Sequence, residues 1–310
     1  MQVLPEIKFI KHADLNKIKW DQSLEKCANA NPYAISWHLD AVTGDSWDAL
    51  VSFDYSWLMP LPFKKKFGIK YLPTPLFVQQ LGIFGPGPFT SEITDHFFKQ
   101  VEQNVNLIEF QINHFNAVPT LKNFTVRERC NLVLPLPEDR DQLMAVYSEN
   151  RVRNIRKAEK NKLRYGTSSI RSIINLFRAS KESQIENWKI DYYNILERAY
   201  NVSAIRDHGF AVGIYNANGI LLAGAFIVEW KGRAIFLFSG NSEEGKATGA
   251  MPAMIHNYML NAAPSIKIFD FEGSDDPGLQ SFYKSFGAVE ANYVHLKLNT
   301  LPFFLRWWKS

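Results

Sequence analysis

The sequence has few cysteines, no long apolar run and little excess of either charge. Its two cysteines, Cys27 and Cys130, are too few for a disulfide framework or a cysteine-based zinc site, which favours a reducing, cytoplasmic location. The longest apolar run, 219–228, has the length of a strand and falls short of the roughly 20 residues of a membrane-spanning helix. The N-terminal segment MQVLPEIKFIKHADL contains no apolar region of the kind found in signal peptides. We therefore expect a soluble protein without a transmembrane segment.

The composition is that of a folded protein. Of 310 residues, 46% are hydrophobic and 14% aromatic, which is enough to bury a core and excludes long disorder. At about 100–200 residues per domain, this length predicts one large domain or two of ordinary size. Lys and Arg number 35 against 31 Asp and Glu, and this small excess permits an anionic ligand without requiring nucleic acid.

Two halves of different character meet near Pro135–Pro137. In the first half, rich in aromatics and prolines, the patterns predict strands at 48–53, 57–61, 106–112 and 127–134 and a helix from Thr90 or Ser91 to about Gln103. In the second half they predict helices at 139–161, 169–187, 191–204, 251–261 and 278–286, strands at 210–216, 220–230, 233–239, 266–271 and 293–298, and a turn at Asn218-Gly219. The order strand, strand, long loop, helix, strand occurs near 48–112 and again near 220–271, which raises the idea of an internal duplication.

The sharpest local motif is a basic helix, ENRVRNIRKAEKNKLR. Its cations recur at spacings that place them on one helix face: Arg153, Arg156, Lys157, Lys160 and Arg164. Stacked like charges repel each other by about 0.2–0.5 kcal/mol per close pair. A solvated surface tolerates this repulsion, and a bound anion such as phosphate or an RNA backbone relieves it. Both interpretations stay open at this point.

A strand, a glycine-containing loop and a helix follow one another in SGNSEEGKATGAMPAMIHNYM. Glycines let backbone N–H groups approach a ligand, and a helix N-terminus carries partial positive charge, so such a loop can hold a phosphate. The loop has neither the Walker pattern nor GxGxxG. An ordinary connection between strand and helix is the alternative interpretation.

Carboxylates gather at the end of the strand predicted at 266–271. α/β sheets place ligands at the C-terminal ends of strands, and a carboxylate there can accept a proton from an attacking amine. Asp275 or Asp276 is alternatively the N-cap of the next helix. Lys284, near the end of that helix, either complements the helix C-terminus or stabilises an oxyanion. The seven histidines show no metal-like spacing, and we expect no metal site.

Three stretches of the second half resemble the GNAT superfamily of acyltransferases, and in particular the Fem-type (FemABX) aminoacyltransferases and the BioF2-like acetyltransferase-6 group. ENRVRNIRKAEKNKL looks like the R-x-x-I-R-K-A helix of that family. AIFLFSGNSEEGKATGAMPAMIHNYML looks like the strand, loop and helix that precede its fDf-G segment. FDFEGSDDPGLQSFYKSFGA is similar to the family's fDf-G…gl..FK..FG segment. The first half matches only loosely, through the family's habit of placing two such domains side by side.

The resemblance implies an α/β (α+β) fold of tandem GNAT-like acyltransferase domains with mixed central sheets, one domain at 1–135 and the other at 136–310. It implies direct transfer of an acyl or aminoacyl group from a thioester (acyl-CoA) or an aminoacyl-tRNA to an amine, without a metal or a tightly bound cofactor. The donor's arm would lie between two adjacent parallel strands, 235–239 and 266–271, that part from each other. The acceptor would be the amine of a small molecule or of a cell-wall precursor, and a contact with tRNA is also open.

The same resemblance assigns roles to particular residues. The catalytic residues would be Lys284, which would stabilise charge on the transferred carbonyl, with Asp270 and Glu272. The donor would be bound by Ser239, Gly240, Lys246, Thr248, Gly249 and Ala250. The substrate would be bound by Arg153, Arg156, Lys157 and Lys160.

The chain departs from the family at the loop that binds pyrophosphate in GNAT proteins. That loop is usually Q/R-x-x-G-x-G/A, whereas Lys246 and Met251 stand at its first and last positions here. A non-catalytic GNAT-like domain that binds an anionic ligand or a partner is therefore an alternative function, and nucleic-acid binding through the basic helix is a third. The aromatic and basic C-terminal segment PFFLRWWKS either packs on the domain or contacts a membrane surface.

Overall fold

The structure is a computed structural model that describes residues 4–185 and 188–302. It divides into two units, one formed by the chain up to Arg129 together with the residues from Asn292 onward, and the other by Cys130–Ala291. Residues 292–302, which the sequence analysis placed in the second domain, thus belong to the first unit. Among the described residues, no helix combines the length and apolar character needed to cross a bilayer. Residues 303–310 of the aromatic and basic tail lie outside the described part of the chain.

The first unit combines helices with short strands. Its elements in chain order are β1 (Ile7–Ile10), α1 (Lys17–Lys26), α2 (Ser36–Thr43), β2 (Asp48–Ser52), β3 (Leu58–Leu61), β4 (Lys64–Lys66), β5 (Ile69–Pro73), α3 (Ser91–Glu102), β6 (Leu107–Ile112) and β7 (Thr125–Arg129). Helix α3 begins as the sequence predicts, because the Thr90 side chain accepts a hydrogen bond from the Ile93 N–H.

The second unit carries a larger sheet. Its elements are β8 (Leu132–Pro135), α4 (Glu149–Lys160), β9 (Arg164–Thr167), α5 (Ile170–Ser180), α6 (Asp191–Ala204), β10 (Gly209–Tyr215), β11 (Leu221–Trp230), β12 (Arg233–Asn241), α7 (Glu243–Thr248), α8 (Ala250–Asn261), β13 (Ile268–Asp270), α9 (Pro277–Lys284) and β14 (Val289–Glu290). The last strand, β15 (Tyr293–Asn299), belongs to the first unit. Helix α8 is buried along most of its length and packs on α4, β10 and β11.

The two units share part of their strand arrangement. The second unit contains a seven-stranded sheet in the order β14-β8-β13-β12-β11-β10-β9. The first unit contains a three-stranded sheet, β1-β2-β3, and a five-stranded sheet, β4-β5-β6-β15-β7, and isolated bridges join Leu58 to Phe84 and Leu81 to Ile112. Two helices separate β1 from β2 in the first unit, and two helices separate β9 from β10 in the second. A long helix precedes β6 in the first unit and β13 in the second. The strand pairs β5–β6 and β12–β13 are parallel within otherwise antiparallel sheets, so the predicted α/β class with mixed sheets is confirmed.

One strand in each sheet comes from the distant part of the sequence. Strand β15 inserts between β6 and β7 of the first unit, and β8 inserts between β13 and β14 of the second. The single strand predicted at 127–134 is therefore wrong: β7 and β8 occupy it, and they belong to different units. Both parts of the stretch have residues that favour a β-strand, so the sequence reads as one continuous strand. Only the pairing with strands from distant parts of the chain separates it into two.

Two predicted helical regions are shorter than expected. The region 139–161 consists of a 3₁₀ helix, Arg140–Val146, followed by α4. The Ser148 side chain accepts a hydrogen bond from the Arg151 N–H and so starts α4 anew. Helix α5 ends at Ser180 instead of 187. The predicted glycine loop contains the additional helix α7, which Ser242 caps through the Gly245 N–H.

Candidate functional site

The parallel strands β12 and β13 part within the second unit. They are paired only over Arg233–Ile235 and Ile268–Asp270, whereas β12 continues to Asn241 and stays paired with β11. The β11–β12 register shifts between Phe226 and Ile227, which leaves Leu237 as an extra residue in β12. Such a bulge bends its strand, and Leu237 lies two residues beyond the last β12–β13 pair. Pairing between the two strands thus ends at Ile235 and Asp270, and among the described residues no pair joins 236–239 of β12 to β13.

A cavity of about 290 Å³ opens where the strands have parted. Its described lining residues are Lys181, Phe236, Ser239, Asn241, Lys246, Met251, Gly278, Leu279, Phe282 and Tyr283. The walls are thus mainly apolar, with two lysines and a few uncharged polar groups. Asn241, one of these lining residues, has a buried side-chain oxygen with no hydrogen-bond partner among the described residues. A mostly apolar cavity with a few convergent polar groups is the usual form of a small-molecule site.

Tyr283 lies on the cavity, and its neighbour Lys284 does not. The Tyr283 ring stacks on Phe271 at 4.8 Å between centroids, and no described residue bonds its hydroxyl. Burial, with smaller contributions from Glu272 and Asp276, raises the pKa of Tyr283, so its hydroxyl keeps its proton and remains a hydrogen-bond donor. Lys284 instead pairs with Glu290 at 2.5 Å on the exposed side of α9.

The placement of Lys284 corrects the sequence-based assignment. In the family segment gl..FK..FG, the lysine stands three residues before the second phenylalanine, which is Phe286 here. That position is occupied by Tyr283, and Lys284 is the next residue. One residue along a helix turns a side chain by about 100°, so Lys284 faces away from the cavity wall that Tyr283 forms.

The two predicted catalytic carboxylates have different environments. Asp270 is buried, and its Oδ2 accepts a hydrogen bond from Arg233 at 2.6 Å. Its Oδ1 accepts one from the Glu272 N–H at 3.0 Å, which holds Glu272 in a left-handed conformation with φ of 55°. Asp270 thus supports the chain as it leaves β13, and it does not line the cavity. Glu272 is close enough to Tyr283 to raise the pKa of its hydroxyl.

Of the six residues predicted to bind the donor, Ser239 and Lys246 line the cavity. The other four are not among its described lining residues, and their contacts serve packing or helix structure. A Cβ at Gly240 would lie 2.7 Å from the Phe177 nitrogen, so this glycine lets α5 approach β12. Thr248 donates a hydrogen bond to the Glu244 carbonyl within α7, and Ala250 is fully buried.

Gly249 joins α7 to α8 beneath the basic helix. Its φ is 77°, and a Cβ there would lie 2.3 Å from the Asn154 carbonyl oxygen of α4. Both the left-handed backbone and the close approach therefore require glycine. The glycine that resembles a phosphate loop in the sequence is explained by this contact.

The basic helix α4 is anchored next to the cavity. The Arg151 guanidinium is buried, donates to Ser285 Oγ through Nε at 2.9 Å, and lies 4.1 Å from the centre of the Phe282 ring, which lines the cavity. Four of the five cations predicted to share one helix face do so: Arg153, Arg156, Lys157 and Lys160 line one surface depression of about 640 Å³ with Tyr147, Glu149 and Val152. The prediction is wrong for Arg164, because α4 ends at Lys160 and Arg164 begins strand β9. Within the described chain, Arg156, Lys157 and Lys160 have no ion-pair partner.

A separate group of titratable side chains lies in the first unit. Potential ligand atoms of His12, Asp40 and Asp45 lie within 4.8 Å of one another. Asp40 already accepts hydrogen bonds from Lys17 at 2.7 Å and from the Trp47 indole at 2.9 Å, and these bonds lower its pKa despite the opposing effect of burial. His12 and Asp40 are also hydrogen-bonded to each other at 2.9 Å, and the Asp45 carboxylate lies 3.8 Å from His12. The expectation of no metal stays a prediction.

The fold can be compared with known proteins. No family model matches the chain, and no curated protein matches it. Among solved structures, FemX aligns with a TM-score of 0.69 at 12% identity over 93% of this chain and 96% of that chain. A conserved protein of unknown function from Bacteroides thetaiotaomicron VPI-5482 aligns with a TM-score of 0.61 at 11% identity, covering 96% and 100%. L-PGS from Bacillus licheniformis aligns with a TM-score of 0.52 at 14% identity, covering 93% of each chain. This chain therefore has the two-unit α/β fold of FemX, as its resemblance to Fem-type proteins led us to expect.

Proposed function

We propose that this protein transfers an acyl or aminoacyl group from a thioester or ester donor to an amine. The observation that carries the proposal is the cavity beside β12, at the point where β13 has left that strand. A narrow, mainly apolar cavity bordered by an unpaired strand edge suits an extended donor arm, because the edge offers backbone hydrogen-bonding groups along its length.

The reaction needs no covalent enzyme intermediate. The amine nitrogen attacks the donor's carbonyl carbon, a C–N bond forms, and the C–S or C–O bond breaks. The rest of the donor molecule leaves as a thiol or an alcohol, and it takes up the proton that the amine loses. Negative charge develops on the carbonyl oxygen as the amine attacks, and a preorganised hydrogen-bond donor stabilises it. We assign this role to the Tyr283 hydroxyl, whose pKa burial raises.

Cations near the cavity suit an anionic donor. Lys181 and Lys246 lie on the cavity itself, and the cationic face of α4 belongs to the helix whose Arg151 contacts the cavity residue Phe282. Acyl-CoA and aminoacyl-tRNA both carry phosphates, and both are compatible with this charge. We therefore assign Arg153, Arg156, Lys157 and Lys160 to a phosphate-bearing part of the donor or acceptor.

Binding is tested first, with acetyl-CoA and with an aminoacyl-tRNA mixture in separate thermal-shift experiments. A ligand at 100 times its Kd stabilises the native state by about 2.7 kcal/mol. The variant Ser239→Phe, which fills the cavity, is expected to abolish this stabilisation while the ligand-free protein still unfolds cooperatively. If neither ligand stabilises the wild-type protein, the proposal is wrong.

Turnover then separates the two assignments on α9. Tyr283→Phe removes one hydroxyl and keeps the stacked ring, and loss of one oxyanion donor costs about 10²-fold in kcat. Lys284→Ala is expected to change turnover less than about twofold, since Lys284 pairs with Glu290 at the surface. The reverse result would restore the sequence-based assignment of Lys284.

A second candidate function is non-catalytic binding of an anionic ligand. It is favoured by one observation: among the described residues that line the cavity, none is a carboxylate or an imidazole that could take the proton from an amine. Stabilisation by a ligand without transfer to any amine offered would support this function over the first.

A further inference from the structure

The first unit carries a short basic hairpin. Strands β4 and β5 pair in antiparallel register, with Lys64 opposite Tyr71, Lys65 opposite Lys70, and Lys66 opposite Ile69. Tyr71 is buried with Leu107 and Leu301, and Ile69 packs against this small cluster. The base of the hairpin is thus anchored in the unit, while all three residues of β4 are exposed.

The tip of the hairpin is an exposed phenylalanine. Phe67 and Gly68 both have positive φ, 51° and 79°, as required by a type I′ turn, where Asn, Asp and Gly are favoured. Phe67 is 78% exposed, so it contributes little to the core. A large apolar side chain thus occupies a left-handed backbone position that is unfavourable for it. At the surface it also gains no stability from packing in the core.

Lysines surround this aromatic tip. Lys64, Lys65, Lys66 and Lys70 line a surface depression of about 680 Å³ together with Phe63 and Gly68. The Lys66 ammonium lies 5.3 Å from the centre of the Phe67 ring, and the Lys70 ammonium lies 3.7 Å from that of Phe63. From Pro62 to Leu72 the chain contains four lysines and no carboxylate, and the Lys70 ammonium lies 3.8 Å from the Asp48 carboxylate.

We propose that the β4–β5 hairpin docks on the surface of an anionic lipid bilayer, with the Phe67 ring inserted among the headgroups and the four lysines against the lipid phosphates. This inference goes beyond the proposed transfer reaction and does not depend on it. Phenylalanine is among the apolar residues that bury at the boundary between headgroups and acyl chains in surface-bound segments, and basic residues next to an anionic surface each add to binding. One exposed ring among cations complements such a surface, whereas a folded protein partner would cover a larger apolar area.

The full chain is tested by co-sedimentation with vesicles of phosphatidylcholine containing 30% phosphatidylserine (roughly the charge of an anionic membrane leaflet), and with vesicles of phosphatidylcholine alone. We expect binding to the anionic vesicles that weakens with added salt. Each lysine is expected to contribute about fivefold to the partition coefficient. The triple variant Lys64→Gln, Lys65→Gln, Lys66→Gln should therefore bind about 100-fold more weakly.

The control removes the same charge elsewhere. Lys26→Gln, Lys99→Gln, Lys122→Gln changes three other exposed lysines of the first unit and should leave binding within about twofold of wild type, since none of them belongs to the hairpin or lines its depression. If both triple variants lose binding equally, the attraction is unspecific and the hairpin proposal is wrong.

Phe67→Asn separates the tip from the charges. Asparagine tolerates the turn backbone better than phenylalanine, so the free energy of unfolding should stay the same or rise while vesicle binding falls about tenfold. Ile205→Asn, at another exposed apolar residue, should have no effect on binding. Unchanged vesicle binding in Phe67→Asn would overturn the proposal, as would hairpin-dependent binding to an RNA oligonucleotide without binding to the vesicles.

Discussion

The substitution Asp270→Asn distinguishes a structural carboxylate from a catalytic one. The sequence pattern assigns Asp270 to catalysis, whereas the structure buries it against Arg233 with 2.6 Å between Oδ2 and Nη1. Replacing the carboxylate by an amide keeps the shape and removes the charge. The Arg233 side chain, only 18% exposed, then loses its ionic partner.

The expected cost follows from this geometry. Removing one partner of a fully buried pair costs about 3–5 kcal/mol. Arg233 keeps some contact with water, and the amide oxygen of the new side chain still accepts the Glu272 N–H. We therefore expect the free energy of unfolding of the second unit to fall by about 2 kcal/mol, or the melting temperature to fall by about 4–8 °C.

Urea unfolding of a double-mutant cycle provides the measurement. Because Arg233→Gln removes the same pair from the other side, the double variant should be more stable than the sum of the two single effects predicts, by at least about 1 kcal/mol. Asp275→Asn, an identical change at an exposed residue, should alter stability by less than about 0.5 kcal/mol. Additive effects at Arg233 and Asp270, together with near wild-type stability of Asp270→Asn and a large loss of turnover, would refute the structural role.

Two further predictions concern the first unit. Burial lowers the pKa of His38 to about 4 from its ordinary 6.5, so below pH 6.5 the unfolded state binds the proton more readily. The free energy of unfolding therefore falls as the pH drops from about 6.5 to about 4, by up to about 3 kcal/mol. Urea titrations across this range should show a shallower pH dependence of stability in His38→Gln than in the wild-type protein, and an unchanged dependence would contradict the assignment. Ending the chain after Ala291 removes β15, which pairs with both β6 and β7. Amide hydrogen exchange should then show loss of protection in β6, while the second unit, complete within residues 130–291, stays protected. Retained protection in β6 would show that β15 is dispensable.

Local features of the fold follow directly from the sequence. The cap of α3 at Thr90 and the turn at Asn218-Gly219 depend on side-chain hydrogen bonds and backbone preferences of neighbouring residues, and the structure has both. The cationic face of α4 follows from helical spacing alone. The resemblance of three motifs predicts that the strands at 235–239 and 266–271 part, and the structure shows β12–β13 pairing only up to Ile235 and Asp270, with a bulge at Leu237 beyond the last pair.

The sequence by itself determined the class of the fold, most helix starts and the charged helix face, because these depend on periodicity and on contacts within a few residues. Only the tertiary structure decided that β7 and β8 separate into different units, because strand partners lie far apart in the chain. It also decided that Tyr283 lines the cavity instead of Lys284 and that Gly249 lies against α4. Both outcomes depend on how helices rotate and approach each other when they pack, and a helical pattern alone leaves that rotation undetermined.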